Sequence, residues 1–294
     1  MKTEICKEKY AGSMCSMVAS SEEQNRSLQR ELQNQTLSLK QCYVMICDEK
    51  VVARAVIDTK RAYIAYLTLE EISQKEADDF VKDIVDHLDR SKEWRIDLYS
   101  DKHHHALVYH ALKQWFPLEF KRESYTVKTR EIAQTSYCFI PAKQLSHKAL
   151  LELMVAANAT TLDVSIQREQ QLLGLYPTVQ QLANELLEDE ESEALFQVLL
   201  IEKEAIGFIS VTRLLDDIGG IGFIGVHPNV QGRQYSTVLL NKAIDMAWRH
   251  NIHKLIGDID IHNFAIRQNL LRTGFSLDCE QSIFLLEKQF KNCV

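Results

Sequence analysis

Residues 222–240 read GFIGVHPNVQGRQYSTVLL and contain the pattern that decides the fold. Residues 222–226 predict a strand, which Pro228 ends because proline has no N–H to donate to a neighbouring strand. From residue 236 the apolar side chains recur at helical spacing. A helix that begins directly after a loop offers N–H groups without internal partners, and its dipole adds positive potential. The stretch therefore predicts a strand, a loop that binds a phosphate or pyrophosphate, and a helix.

The composition of the chain is that of a folded, globular protein. Of its 294 residues, 46% are hydrophobic and 26% are charged. The longest apolar runs have the length of strands, so we expect no membrane span, and the charged first ten residues predict no export signal. Seven cysteines are scattered without a Cys-x-x-Cys pair, which indicates reduced thiols and a cytoplasmic location.

The charge of the chain argues against nucleic acid as a partner. The net charge is −7, and residues 141–294 carry 13 lysines and arginines against 19 acidic residues. A protein that binds the phosphate backbone shows the opposite balance. An acidic half suits a cationic substrate such as an amine, although it is more commonly a solubility feature.

Turn residues and apolar periodicity divide the chain into short strands and amphipathic helices. In the C-terminal half the predicted order is strand 136–141, helices 148–157 and 178–188 with Thr178 as N-cap of the second, strands 196–201, 206–214 and 222–226, helix 236–249, strand 254–261, helix 264–272 and strand 282–286. In the N-terminal half it is strands 43–46, 51–57 and 62–69, helix 77–88, strand 95–99 and helix 106–115.

The two halves repeat at a spacing of about 159 residues. The matched positions are Leu67 with Val226, His104 with Asn263, and Phe116 with Phe275. We therefore predict two copies of one fold, over residues 1–133 and 134–294. The first copy has no glycine in its corresponding loop, so we expect its phosphate site to be lost.

Two segments of the second half resemble signatures of the GNAT acyltransferase superfamily. Val226, Pro228 and Gln231, followed by the small Ser236, match the acetyl-CoA pattern Val-x-Pro-x-x-(Gln/Arg)-x-x-Gly-x-(Gly/Ala). Residues 263–275 resemble the family's Asn-x(10)-Gly-Phe helix. The resemblance covers residues 136–290, and in the first half it rests on element order alone.

The resemblance implies an α/β (α+β) fold of tandem GNAT-like domains, each a splayed mixed β-sheet flanked by helices. It implies acetyl-CoA as cosubstrate and an amine that attacks the thioester directly. The pantetheine arm would lie between strands 222–226 and 254–261. The residues implied in cofactor binding are Ile224, Val226, Gln231, Gly232, Arg233, Gln234, Tyr235, Ser236 and Asn263.

Two positions depart from the family pattern. Gln234 stands where the first loop glycine is usual, and its side chain narrows the backbone's approach to a phosphate unless a negative φ accommodates it. Leu270 replaces the tyrosine that protonates the leaving thiolate in the family, and leucine cannot donate a proton. Another donor or water would then serve, or the domain would bind acyl-CoA without efficient catalysis.

The candidates for catalysis lie at the end of the fifth strand. The fourth strand has no carboxylate, whereas Asp260 and His262 alternate onto one side of the fifth. They are candidates for proton transfer, and the alternative, which we favour, is that they cap the following helix. Tyr176 is a candidate substrate contact and equally a candidate loop anchor.

We expect no metal. Asp101, the run His103 to His105 and His110 are rich in ligand types, but consecutive residues point in different directions. The expected partners are a small-molecule amine or a peptide amine, with no nucleic acid and no membrane. The sequence leaves open whether the protein forms a homodimer.

Overall fold

The computed structural model of the chain describes residues 2–101, 105–133, 136–188 and 190–288. The chain divides into two compact units, one made of residues 1–121 and 280–294 and the other of residues 122–279. His103 and His104 lie outside the described residues, so the predicted match between His104 and Asn263 is not described.

The first half of the chain supplies the elements up to residue 128. In chain order they are β1 (Lys2–Ile5), α1 (Glu8–Met14), α2 (Glu22–Gln33), β2 (Cys42–Cys47), β3 (Lys50–Asp58), β4 (Tyr63–Leu69), α3 (Gln74–Asp86), β5 (Trp94–Tyr99), α4 (His105–Lys113) and β6 (Leu118–Lys128).

The second half supplies the elements from residue 138. They are β7 (Cys138–Pro141), α5 (His147–Asn158), α6 (Val164–Leu173), α7 (Leu175–Leu186), α8 (Glu190–Ala194), β8 (Phe196–Ile201), β9 (Glu204–Leu215), β10 (Ile218–Val226), α9 (Tyr235–Arg249), β11 (Lys254–Asp260), α10 (Phe264–Arg272) and β12 (Ser276–Leu286). From β2 and from β8 onward the two halves show the same order of three strands, a helix, a strand, a helix and a strand. The predicted tandem repeat is confirmed.

The sheet of the first unit runs in the order β1-β2-β3-β4-β5-β12. Its last strand comes from the C-terminal end of the chain: residues 281–286 of β12 lie antiparallel to β5, with Gln281 opposite Tyr99 and Leu286 opposite Trp94. Helices α3 and α4 bury their apolar faces on this sheet, around Phe80, Trp94 and Phe284. The C-terminal strand therefore completes the sheet of the first unit.

The sheet of the second unit runs in the order β6-β11-β10-β9-β8-β7. Strand β6 pairs antiparallel with the whole length of β11, from Lys128 opposite Lys254 to Arg122 opposite Asp260. Helix α9 buries the apolar face that its periodicity predicts, formed by Leu239, Leu240, Ala243, Ile244 and Ala247. Helices α5 and α7 enclose a separate apolar cluster with Phe196 and Phe208.

The two halves of the chain thus exchange their last strands, and the units differ from the predicted division at residues 133 and 134. Residues 122–133 belong to the second unit and residues 280–294 to the first. The physical reason is that β6, which the sequence analysis does not predict, forms the edge of β11 in the second unit.

Helices α6 and α7 differ from the sequence prediction. Helix α6 is not predicted, although Asp163 caps it by accepting a hydrogen bond from the Ile166 N–H at 3.1 Å. Helix α7 begins three residues earlier than predicted, after Gly174. Thr178 is therefore not its N-cap: it lies inside the helix, and its hydroxyl donates to the Gly174 carbonyl at 2.9 Å.

A buried guanidinium fixes the N-terminal helices of the first unit. Arg54 of β3 is fully buried and donates to the Met14 carbonyl at 2.6 Å, the Asn25 Oδ1 at 2.7 Å and the Ser20 Oγ at 2.6 Å. Burial lowers its pKa to about 10, so the group stays charged at neutral pH. A buried charge that bonds to three neutral oxygens ties α1 and α2 to the sheet.

We predict that residues 134–294 alone do not fold. They lack β6, whose Tyr125 and Val127 are buried in the second unit's core, and each buried side chain of this size contributes about 1.5–3 kcal/mol. In the fragment the seven residues of β11 also lose their partner strand. Together these losses remove a large part of a typical free energy of unfolding, which is about 5–15 kcal/mol. Thermal unfolding and circular dichroism of the fragment measure this.

The matched control for this prediction is co-expression of residues 1–133 with residues 134–294. Because each fragment carries the last strand of the other's sheet, we expect the two to co-purify and unfold together. A cooperative thermal transition in the isolated 134–294 fragment would contradict the prediction.

Candidate functional site

The sheet of the second unit opens between β10 and β11. The two strands pair in parallel only from Ile218 to Gly220 and from Lys254 to Ile256, and a bulge interrupts β10 between Ile221 and Phe223. A cavity of about 500 Å³ lies beside this opening, at the C-terminal end of β10. It is lined by Ala157, Thr160, Thr161, Leu162, Ile224, Gly225, Val226, Val230, Gln231, Gly232, Gln234, Tyr235, Ser236, Asn263, Ala265, Ile266, Gln268, Asn269 and Arg272.

The loop from β10 to α9 takes two left-handed residues. The His227 N–H still donates to the Ile206 carbonyl at 2.8 Å, and Pro228 then ends the ladder because it has no N–H. Gly232 has φ +79° and Gln234 has φ +63°. The alternative of a negative φ at Gln234 is therefore not found: this residue is the last before α9, and the turn into the helix takes the left-handed conformation there.

Five consecutive N–H groups face no protein acceptor at this loop. The amides of residues 232–236 donate to no acceptor in the described part of the chain, whereas the next amide, of Thr237, bonds to the Gln234 carbonyl at 3.0 Å. Successive amides around a left-handed residue form an anion-binding concavity, and the α9 dipole adds to its potential. The cavity lining includes Arg272 and no carboxylate. The geometry is that of a site for a phosphate or pyrophosphate.

Helix α10 forms the opposite wall of the cavity. Asn263 caps it, with Oδ1 accepting from the Ile266 N–H at 3.3 Å. The Thr237 hydroxyl lies 3.3 Å from the Asn269 Oδ1 and joins α9 to α10. After the helix, Gly274 takes φ +93°, and Phe275 then enters the core. The Asn-x(10)-Gly-Phe segment therefore positions one wall of the cavity.

The structure brings together most of the residues predicted for cofactor binding. All of them except the exposed Arg233 line the cavity. The Gln231 Nε2 donates to the Val226 carbonyl at 3.2 Å and so braces the loop. Tyr176 is 54% exposed on α7 and does not line the cavity, and its role in substrate contact stays a prediction.

The two predicted catalytic residues lie at the turn between β11 and α10. The buried Asp260 accepts from the His262 N–H at 2.8 Å, so its carboxylate shapes the turn. Neither side chain lines the cavity. The imidazole of His262 bonds to no described residue and precedes Asn263, which does line it. The predicted capping of α10 by Asp260 and His262 is not observed, because Asn263 is the N-cap and Asp260 bonds to the turn before it. Proton transfer by either residue stays a prediction.

Leu270 lies in the apolar core. It is 1% exposed and packs beneath Gly257, where an added Cβ would lie 3.3 Å from its Cδ2. The side chain therefore lies between α10 and the strand β11. The hydroxyls that do line the cavity belong to Thr160, Thr161, Tyr235 and Ser236.

The segment between α5 and α6 was not predicted to take part in the site. Its residues Thr160, Thr161 and Leu162 line the cavity, and Arg122 of β6 holds its end through an ion pair with Asp163 at 3.2 Å. The Arg122 Nη2 also donates to the Asp258 carbonyl at 3.0 Å. No local motif marks this contact, because Arg122 and Asp163 are 41 positions apart in sequence and belong to elements that were not predicted.

Comparisons with known proteins agree with this architecture. Residues 163–275 match the model of the acetyltransferase (GNAT) family. A GCN5-related N-acetyltransferase from Sphaerobacter thermophilus is 12% identical with a TM-score of 0.59, over 98% of this chain and 96% of that one. A GNAT-family acetyltransferase from Colwellia psychrerythraea is 10% identical with a TM-score of 0.55, over 98% and 100%. In sequence no curated protein matches the chain.

A third solved structure shares the two-copy arrangement. It is described as a tandem GNAT protein from the clavulanic acid biosynthesis pathway, and it is 10% identical with a TM-score of 0.51 over 99% of this chain and 100% of that one. The fold of the chain is therefore that of tandem GNAT domains. The segment that matches the acetyltransferase (GNAT) family model, residues 163–275, lies within the second unit.

Clusters of metal ligands and membrane-spanning helices are both absent from the described ranges. No group of three or more histidine, cysteine, aspartate or glutamate side chains is placed there to hold a metal ion; His103 and His104 fall outside these ranges. Across the same ranges, every helix is too short or too polar to cross a bilayer.

We predict that Gln234→Gly stabilises the protein. A non-glycine residue in the left-handed region destabilises the folded state by roughly 1–2 kcal/mol. Glycine removes this cost but also makes the unfolded chain more flexible, which offsets part of the gain. We therefore expect the free energy of unfolding to rise by about 0.5–1 kcal/mol. Chemical denaturation measures it. The control is Gln231→Gly in the same loop: its φ of −60° gives glycine no advantage and its brace to Val226 is lost. Equal effects of the two substitutions would contradict the prediction.

Proposed function

We propose that the protein is an acyl-CoA-dependent N-acetyltransferase that transfers the acetyl group of acetyl-CoA to an amine. The observation that supports this most strongly is the row of unbonded amides at residues 232–236, at the mouth of a cleft between two separated strands. Such a row suits the pyrophosphate of coenzyme A, and the open strand edges suit an extended arm with amide groups.

The chemistry of the transfer fits the cleft. The amine nitrogen attacks the thioester carbonyl carbon, the carbon–sulfur bond breaks, the nitrogen loses a proton and the thiolate takes one. Backbone groups of β10 at its bulge, near Ile224, are suited to stabilise the charge that develops on the carbonyl oxygen. The acceptor is a small-molecule amine or a peptide amine, which would enter beside the 160–162 segment.

A second candidate function is a non-catalytic acyl-CoA-binding or regulatory module. The observation that favours it is the buried Leu270, because that position supplies no proton donor. The two candidates differ in turnover. A thiol-release assay with acetyl-CoA and a panel of small amines and peptides separates them: tight binding without turnover on every acceptor would favour the binding module.

We predict opposite effects of Ser236→Glu on stability and on binding. A carboxylate in the first turn of α9 interacts favourably with the helix dipole, by about 0.3–1 kcal/mol, so the protein keeps or gains stability. The same charge occupies the anion site and repels a pyrophosphate, so we expect coenzyme A affinity to fall at least about tenfold. Isothermal titration and thermal unfolding measure the two effects, with Ser236→Gln as the uncharged control. Unchanged affinity in the Glu variant would remove the site from this loop.

We further propose that His262 accepts the proton and that Asp260 holds its turn. Loss of a general base typically lowers kcat about 10²–10⁴-fold, so we expect His262→Ala to lower kcat in this range with coenzyme A affinity unchanged. Asp260→Asn should instead lower thermal stability, because the buried carboxylate loses part of its bond to the backbone. A His262→Ala enzyme with normal kcat would place the base elsewhere.

A further inference from the structure

The first unit contains an opening of the same kind, between β4 and β5. These strands pair only at Tyr63 and Arg95, and β4 has a bulge where it passes Arg54 to Val56 of β3. A cavity of about 300 Å³ lies there. Its lining combines aliphatic side chains of the sheet with three tyrosines, Tyr63, Tyr66 and Tyr99. The first unit therefore has room for a ligand of its own.

This opening lacks the anion site of the second unit. At the start of α3 the Ser73 N–H and hydroxyl both donate to the Glu76 carboxylate, at 2.7 and 2.8 Å. These bonds lower the pKa of Glu76, which is therefore ionised at neutral pH. The protein's own carboxylate occupies the helix start, so a pyrophosphate is repelled there. The ligand of the first unit is of another class.

The charge in the lining favours a cation, because the lining contains three carboxylates, those of Asp58, Asp97 and Glu31, and one guanidinium, that of Arg61. Asp58 accepts two backbone N–H bonds and lies 3.8 Å from Arg61, and Asp97 forms two hydrogen bonds with Arg95 at 2.7 and 2.8 Å. Glu31 of α2 also lines the cavity, and no lysine, arginine or histidine of the described residues lies within 4.0 Å of its carboxylate. The Tyr66 hydroxyl bonds to this carboxylate, so Glu31 has a neutral partner and no described cation neutralises its charge.

Glu31 is held beside an aromatic ring. Gln24 and Glu31 lie two helical turns apart on the face of α2 that lines the cavity, and between them the Ser27 hydroxyl lies 3.2 Å from the Tyr66 hydroxyl. Tyr66 takes the left-handed φ of +55° at the bulge, and its carbonyl accepts from the Arg54 Nε at 3.4 Å. The buried Arg54 thus fixes both α2 and the strand that carries the ring. A carboxylate next to an aromatic ring suits an ammonium group.

We infer that the cleft of the first unit binds a phosphate-free amine with an apolar or aromatic body, its ammonium group paired with Glu31 and its body on the sheet between β4 and β5. This site is separate from the acetyl-transfer cleft and does not depend on its activity.

The test is calorimetric titration of the full chain with phenethylamine and with phenethyl alcohol, which has the same body without the charge. We expect the amine to bind about tenfold more tightly, and Glu31→Gln to reduce its affinity to that of the alcohol while leaving the alcohol unchanged. Glu23→Gln, on the exposed side of the same helix, is the matched control and should leave both ligands unaffected. Thermal unfolding checks that the variants are folded.

Equal affinity for amine and alcohol, absence of amine binding, or full amine affinity in the Glu31→Gln variant would overturn the inference. If the acetyl-transfer cleft also binds the amine, that second binding event would persist in the Glu31→Gln variant. Loss of only the first binding event would then support the inference. Failure of acetyl transfer leaves these outcomes unchanged, because the titration requires no turnover.

Discussion

Three residue pairs join β10 to β11, and beyond them each strand has one edge without a partner strand. Unpaired edges tend to close on one another or on another chain. They stay apart here because each strand is fixed on its far side, β10 by β9 and β11 by β6 along its whole length. The exchanged strand β6 is therefore part of the support of the cleft, and through Arg122 it also positions the segment that leads into α6.

The two copies show how one fold can lead to two kinds of site. In the second, eight residues join β10 to α9, residues 232 and 234 are left-handed, and the amides of residues 232–236 have no acceptor in the described part of the chain. In the first, four residues join β4 to α3, and the Ser73–Glu76 capping box satisfies the helix start internally. The sheet is open in both copies. The helix start differs, because it offers unbonded amides in the second copy and the Glu76 carboxylate in the first. This difference separates an anion site from a site for a cation.

The sequence predicted much of the second copy because its information there is local. The apolar face of α9 and the turn at Gly274 each follow from residues within one or two helical turns. Strand β6 was missed because the sequence LEFKRESYTVK is largely polar and its partner lies more than 120 positions away. The left-handed Gln234 was missed because a non-glycine residue favours negative φ, and here the entry into α9 overrides that preference.

The loss of a proton donor at Leu270 affects one half of the chemistry more than the other. A departing thiol has an ordinary pKa of about 8.5, so its thiolate is a stable leaving group that water can protonate. An alkyl amine has a pKa of about 10.4, so at pH 7 fewer than about one molecule in a thousand is neutral and able to attack. Removal of a proton from the amine is therefore the harder requirement. An enzyme can lose its acid and keep a useful rate if the cleft still supplies a base, so the base that we propose at His262 bears more on catalysis than the substitution in the core.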